Sequence, residues 1–334
     1  MTGSRGGPPD AAAQYRAARA DAVLADRSDL GRLLIEGADA LDLLHRLTTN
    51  DILSLRPGEG TAAAFVTGKG RLIDLVTLHR LEDRLLCLTG AHRAAAVAAH
   101  IERFTFREAV RVADASGSHG TLGVYGARAE HRAGRLLGSA AAGRPLHHPL
   151  AVELAGVRAV LARTFPLGGG GYHLTAEAAD LPALRAAIQE ASGGLVEAGP
   201  EVVEVMRIEA GLPSPGRELT DDYNPWEARL DDAISLTKGC YVGQEVIARL
   251  NTYKKVSKYL VRLSVSGGLP GPGSGLVREG TGAIGTLTSA ARVPGEERVA
   301  ALGYVRDEDV TAGGELDVVD GAGRCRAVIL GAAR

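Results

Sequence analysis

The chain has 334 residues, 45% of apolar type, an aromatic share of 4% and a formal net charge of −2 at neutral pH. That length exceeds what one hydrophobic core ordinarily serves, so two or three packed units are expected. The near-neutral balance supplies no chain-wide positive field, which argues against stable nucleic-acid binding, and no run is long and apolar enough to read as a membrane-spanning helix.

The three cysteines, Cys87, Cys240 and Cys325, are too few for a disulfide framework, and no two of them share metal-ligand spacing. With no apolar signal stretch after Met1, a reducing, cytoplasmic setting is expected.

In chain order, the Gly/Pro-rich opening reads as a disordered tail, followed by an Ala-rich helix over residues 11–25 with Asp10 as N-cap. Residues 31–36 read as a strand, and 38–47 as a helix with Ala40, Leu43, Leu44 and Leu47 on one face. Strands over 61–66 and 71–80 flank Thr67-Gly68-Lys69-Gly70, a hairpin-like connection. A strand over 84–89 and an Ala-rich helix over 91–104 follow. After the small, polar stretch 116–120, a fresh strand-helix alternation runs over 121–125, 127–137, 157–163, 172–175 and 181–191. Pro200, Glu201 and Gly211 bound a further helix. Past Lys254, short strands cut by glycine and proline predict a small β-barrel or sandwich.

Three positions stand out chemically. Cys240 lies in Lys238-Gly239-Cys240-Tyr241-Val242-Gly243-Gln244-Glu245, at or just before a predicted helix start. There the helix dipole and the Lys238 ammonium stabilise a thiolate; the alternative is a small buried hydrophobe. Glu209 sits in the last turn of its helix, where the dipole disfavours a carboxylate. It accepts hydrogen bonds from a ligand, or it forms a salt bridge with Arg207 or Arg217. Asp74 interrupts the apolar strand Leu72-Ile73-Asp74-Leu75-Val76. Either it faces a cavity or partner, or Leu72, Asp74 and Val76 share a solvated outer face. Arg249, Lys254, Lys255, Lys258 and Arg262 form a basic stretch, read as a solvated face or hinge, with a local anion site as the alternative. No phosphate loop, dinucleotide fingerprint, helical His pair or serine elbow is present. His147-His148 reads as surface and Gly168-Gly169-Gly170-Gly171 as a flexible connection.

The segment Lys238–Glu245 resembles the signature of the YgfZ family, folate-binding relatives of the glycine-cleavage aminomethyltransferase. Leu47-Thr48-Thr49-Asn50-Asp51, Pro57-Gly58, Arg207-Ile208-Glu209-Ala210-Gly211, Pro225-Trp226-Glu227 and Gly285-Thr286-Leu287-Thr288-Ser289 resemble further family motifs. The resemblance implies a three-lobed α+β fold, with two α+β lobes and a C-terminal β-barrel around a central channel. The implied boundaries are a tail and helix over 1–28, a discontinuous folate-binding lobe over 29–112 plus 200–252, a second lobe over 113–199, and a barrel over 253–334.

The same resemblance implies tetrahydrofolate or a derivative as cofactor, with Glu209 on the pterin, Asp74 beside the reactive nitrogens and Lys238 toward the glutamyl carboxylates. Tyr241, Gln244 and Arg249 complete the implied cofactor set, and Cys240 with Asp74 the reactive one. The aminomethyltransferase normally pairs both its glycines and its aspartates at the catalytic position, whereas Gly70-Arg71-Leu72-Ile73-Asp74-Leu75 has one of each. The implied role is therefore support of iron-sulfur cluster assembly or repair by a reactive Cys240 thiol beside the tetrahydrofolate channel, with iron-sulfur client or assembly proteins as partners. Relatives also influence a tRNA thiolation pathway. The alternatives are a folate-dependent one-carbon transferase and a folate-binding regulator without chemistry.

Overall fold

A computed structural model of the chain describes residues 10–321 and 323–333; the tail expected before Asp10 lies outside them. The first pass lays down α1 (Ala11–Ala20), β1 (Val23–Asp26), β2 (Leu30–Glu36), α2 (Ala40–Leu47), β3 (Gly60–Val66), β4 (Leu72–Arg80), β5 (Leu85–Ala91), α3 (Ala94–Glu102) and β6 (Arg111–Asp114). The second adds β7 (His119–Tyr125), α4 (Ala129–Leu137), β8 (Pro149–Leu154), β9 (Val157–Leu167), β10 (Gly170–Glu177), α5 (Leu181–Ser192) and β11 (Val196–Ala198). Helices α6 (Pro200–Glu209) and α7 (Gln244–Thr252) then lead into β12 (Lys258–Ser266), β13 (Gly275–Arg278), β14 (Gly282–Arg292), β15 (Val299–Arg306), β16 (Glu315–Asp320) and β17 (Gly323–Ala332).

These strands form a five-stranded sheet in the order β3-β4-β5-β2-β6, a six-stranded sheet in the order β11-β1-β7-β10-β9-β8, and a closed barrel, β12-β15-β14-β13-β16-β17. The barrel expected past Lys254 is therefore present. Helices α2 and α3 cover the first sheet, burying Leu43, Leu44, Val97 and Ile101 against Val76 and Leu78. Helices α4 and α5 cover the second in the same way, with Ala133, Leu184 and Ile188 buried.

Three sequence expectations change. The first helix stops at Ala20, with the Asp10 carboxylate accepting from the Ala13 amide at 2.7 Å as its N-cap. Residues Val23 to Ala25 form a strand between β7 and β11 instead of a last helical turn, because a fully buried Val-Leu-Ala run gains more from sheet pairing than from helix propensity. His147 is buried, not on the surface. Its carbonyl lies 2.7 Å from His79 Nδ1 and its ring packs edge-on against Phe165, joining the two sheets. Of the four glycines at 168–171, Gly168 and Gly169 make the tight β9-β10 turn at φ of 72° and 124°, and Gly170 and Gly171 open β10.

Helix α6 is the hub. Val202, Val203, Val205, Met206 and Ile208 are all buried in one cluster with residues of α1, β1, β4 and the barrel strands β12, β14 and β15. Arg207, also buried, donates to Glu218 at 3.2 Å and to the Ser289 hydroxyl at 2.9 Å, while that hydroxyl donates to Glu218 at 2.6 Å. The Tyr304 hydroxyl donates to the Glu218 carbonyl at 2.8 Å, and its ring stacks on Tyr223. Removing one member of a buried ion pair strands the other charge. Glu218→Ala is accordingly expected to cost about 3–5 kcal/mol in urea unfolding, and a loss below about 1 kcal/mol, the scale of an exposed pair, would show the network to be dispensable.

Candidate functional site

A cavity of about 190 Å³ opens where the two sheets and α6 converge. Leu75, Thr77 and Leu88 line it from the first sheet, and Tyr125, Phe165 and His173 from the second. Glu204 and Arg207 come from α6, and Leu212 and Pro215 from the loop after it. Arg207 holds Glu204 in a two-pronged ion pair at 2.8 and 2.7 Å. Burial works against the Glu204 charge, but the Arg207 hydrogen bonds and the nearby Arg217 keep its pKa below the ordinary carboxylate value.

The second-sheet wall carries a hydrogen-bonded chain. Arg27 grips Asp29 at 3.0 and 3.3 Å and donates from Nη1 to the Tyr125 hydroxyl at 3.0 Å. That hydroxyl lies 2.6 Å from His173 Nε2. Burial, with Arg27, His79 and His147 nearby, pulls the His173 pKa well down, so the ring is neutral.

Asp74 is fully buried, which rules out a solvated outer face. Leu72 and Val76 are likewise buried. Its carboxyl accepts from the Leu75 amide at 2.9 Å and the Gly90 amide at 3.3 Å, and both residues line the cavity, so the acid sits directly behind the wall. A Cβ at Gly90 would come within 2.2 Å of Pro215 Cγ and 3.0 Å of Asp74 Oδ1; glycine permits this close approach. Burial pushes the Asp74 pKa up to about 7, against the opposing pull of Arg93 and the two amides.

Glu209 is not at this cavity. About 100° per residue puts positions 204 and 209 roughly 140° apart around α6, and the second carboxylate points toward α1 and the barrel. It accepts from the Tyr15 hydroxyl at 2.9 and 3.0 Å and pairs with Arg298 at 2.6 Å. Its ion-pair partner is therefore Arg298, not Arg207 or Arg217, both of which pair with Glu204. Burial, and then the Glu209 charge, push the Tyr15 pKa up to about 12.

The Lys238–Glu245 segment also stands apart from the cavity and closes over the C-terminal end of α2. The Lys238 ammonium donates to the carbonyls of His45, Thr48 (2.7 Å) and Asn50 (2.7 Å), and the Val242 amide donates to the Arg46 carbonyl at 2.9 Å. A cation at the negative end of a helix satisfies otherwise unpaired carbonyls. Burial lowers the Lys238 pKa to about 8, which leaves the group mostly protonated at neutral pH. Tyr241 is buried with its ring centre 4.8 Å from that ammonium. Lys238 thus faces inward, away from any anionic ligand outside.

Cys240 is exposed, so it is not a buried hydrophobe. It lies four residues before Gln244, the first residue of α7, and outside the helix's first turn. Gly243 at φ 81° redirects the chain, and its missing Cβ would meet the Thr67 carbonyl at 2.5 Å, so the hairpin connection at 67–70 packs against this bend. The Gln244 side chain turns back to the Gly239 carbonyl at 3.5 Å, and Arg249 is exposed on α7.

The structure therefore brings Asp74 to the cavity but leaves Cys240, Lys238, Tyr241, Gln244, Arg249 and Glu209 elsewhere. Sequence reasoning missed Arg27, Tyr125, His173 and Glu204. The available signal was a glycine inside a strand, Gly123, two residues before Tyr125.

Residues 8–238 match the family described as GCVT N-terminal domain. The chain belongs to this family. It is 29% identical over 319 residues to an aminomethyltransferase of Halalkalibacterium halodurans, covering 91% of this chain and 84% of that protein. It is 28% identical over 307 residues to a putative chloroplastic transferase of Arabidopsis thaliana, covering 89% and 68%. The crystal structure of glycine cleavage system aminomethyltransferase T from Bartonella henselae superposes with a TM-score of 0.81 at 21% identity, over 96% of this chain and 88% of that one. The fold is thus that of the aminomethyltransferase T-protein. Within this family framework the described chain contains no helix long and apolar enough to cross a membrane.

Two measurements probe the site as built. The Asp74 folded pKa of about 7 stands above the unfolded value of about 3.9. The native state therefore holds the proton more tightly, and the stability this contributes is complete below the unfolded value and lost as pH rises toward 7. Across that window Asp74→Asn should gain on wild type in urea unfolding by up to about 4 kcal/mol; a pH-independent gap would mean that Asp74 does not titrate there. Lys238→Met, which strips three carbonyls of their donor, is expected to cost about 3 kcal/mol in the same assay, and a neutral result would contradict the capping role.

Proposed function

We propose that the chain binds a tetrahydrofolate in the central cavity and, as a YgfZ-type member of its family, supports assembly or repair of iron-sulfur clusters through the exposed Cys240 thiol. The folate part rests on the cavity itself. Apolar walls from Leu75, Leu88, Phe165 and Leu212 enclose a carboxylate, a guanidinium, an imidazole and hydroxyl groups, a set that suits a flat heterocycle with both donors and acceptors. When bound, the folate would supply one-carbon chemistry; Leu75 and Phe165 would bracket it and Glu204 would accept from its amino group.

The thiol part rests on exposure. Cys240 is exposed, whereas Cys87 is buried in the first-sheet core and Cys325 lies on barrel strand β17. Iron-sulfur clusters are ordinarily held by four thiolates, so Cys240 would act on a cluster shared with a client's own ligands. No residue of the Lys238–Glu245 segment lines the cavity, which would let a client engage Cys240 while the cavity is filled.

Asp74 favours a second reading, folate-dependent one-carbon transfer. A carboxyl behind the wall with its pKa near 7 is a suitable electrostatic partner for a ligand nitrogen, and aminomethyltransferases are among the relatives.

Calorimetric titration with tetrahydrofolate and with its 5-formyl and methylene forms should show saturable binding; no binding of any form removes the cofactor from both readings. In a deletion strain, failure of Cys240→Ala with tolerance of Asp74→Asn supports the iron-sulfur role. The opposite pattern supports transfer.

A further inference from the structure

The polar chain on the second-sheet wall has a direction. A guanidinium donates and cannot accept, so the Tyr125 oxygen is the acceptor of the 3.0 Å contact from Arg27, whose other nitrogens are committed to Asp29. Among the described residues the Tyr125 proton then has one partner within reach, His173 Nε2 at 2.6 Å, a normal separation for O–H donation. Nε2 must be bare to accept it, and a neutral imidazole then carries its proton on Nδ1. This tautomer follows from the network, with Arg27 as its fixed end. Nδ1 finds no hydrogen-bond partner among the described residues, and it is not among the occluded polar atoms, while the ring lines the cavity.

The backbone is shaped for this arrangement. Gly123 and His173 are direct cross-strand partners in the β7-β10 ladder. A Cβ at Gly123 would lie 2.4 to 2.8 Å from the ring edge and hydroxyl of Tyr125, so the missing side chain leaves room for the tyrosine, whose hydroxyl arrives at His173. A glycine inside a strand weakens it and marks a close approach, and here what approaches is the Tyr125 ring. Burial, and then the neighbouring Arg27 cation, keep His173 uncharged, so the donor it presents is a neutral N–H.

We propose that His173 Nδ1–H, fixed by Tyr125 and Arg27, is the hydrogen-bond donor with which the cavity recognises an uncharged acceptor on its ligand, a ring carbonyl or ring nitrogen of the heterocycle. The proposal rests on the folate reading and adds to it a specificity-determining residue. A neutral donor favours an uncharged acceptor over a protonated ring nitrogen, which has no lone pair to offer. Tyr125 and Arg27 are positioning residues, acting through His173.

The test combines calorimetry with 5-formyltetrahydrofolate and nitrogen NMR of the imidazoles on the full chain. Wild type is expected to show His173 protonated on Nδ1 and bare on Nε2. Tyr125→Phe should bring the other tautomer into the population. His173→Leu should weaken binding by about tenfold or more. His173→Asn, whose amide reaches the Nδ1 position, should stay within about threefold of wild type. A wild-type spectrum with the proton on Nε2 overturns the proposal, as does a folded His173→Leu protein that binds like wild type; in the latter case the folate reading survives. Wild-type protein that binds no folate overturns both.

Discussion

A buried guanidinium holds the molecule together. Arg207 sits on α6, where the two sheets and the barrel meet, and it bonds at once to Glu204 on its own helix, to Glu218 in the following loop and to Ser289 on β14. Without these partners it would be an expensive buried charge. With them, its planar fork ties three segments to one point and fixes their relative placement. The cavity exists because α6 is held there: Glu204 and Arg207 form one wall of it, and the loop carrying Leu212 and Pro215 is anchored through Glu218.

That anchoring gives the cavity two unlike sides. On the first sheet, an acid is hidden behind backbone amides with its pKa near neutrality. On the second, a chain of donors begins at a fixed cation and ends at a neutral imidazole. Low local dielectric strengthens both arrangements and makes each costly to leave half satisfied. A ligand in the cavity meets the Glu204 carboxylate of α6 and the imidazole of the second sheet, while Asp74 acts on it only through the wall.

The segments that stood out in the sequence serve partly as structural devices. Lys238 terminates α2, and Glu209 joins Tyr15 and Arg298 to clasp α1 and α6 to the barrel. Both carry charges in unfavourable-looking surroundings, and in both cases the compensation comes from residues far away in sequence. Cys240 differs, since the loop that Lys238 pins leaves its thiol in solvent.

The amino-acid pattern alone determined the α+β character, the positions of most strands and helices, the Gly/Pro-punctuated barrel and, through local motifs, the family resemblance. These depend on period, turn residues and short signatures, all of which are local. It also singled out Asp74, because a carboxylate within an apolar strand is anomalous wherever it is read. Which groups face one cavity was decided by tertiary structure. Glu204 and Glu209 differ by five positions, yet the turn of α6 points them at different neighbours, and Tyr125 meets His173 only through the β7-β10 register. Residues 23–25 became a strand for the same reason: their partners, β7 and β11, lie roughly a hundred and more residues ahead, and long-range pairing overrides a weak local helix preference.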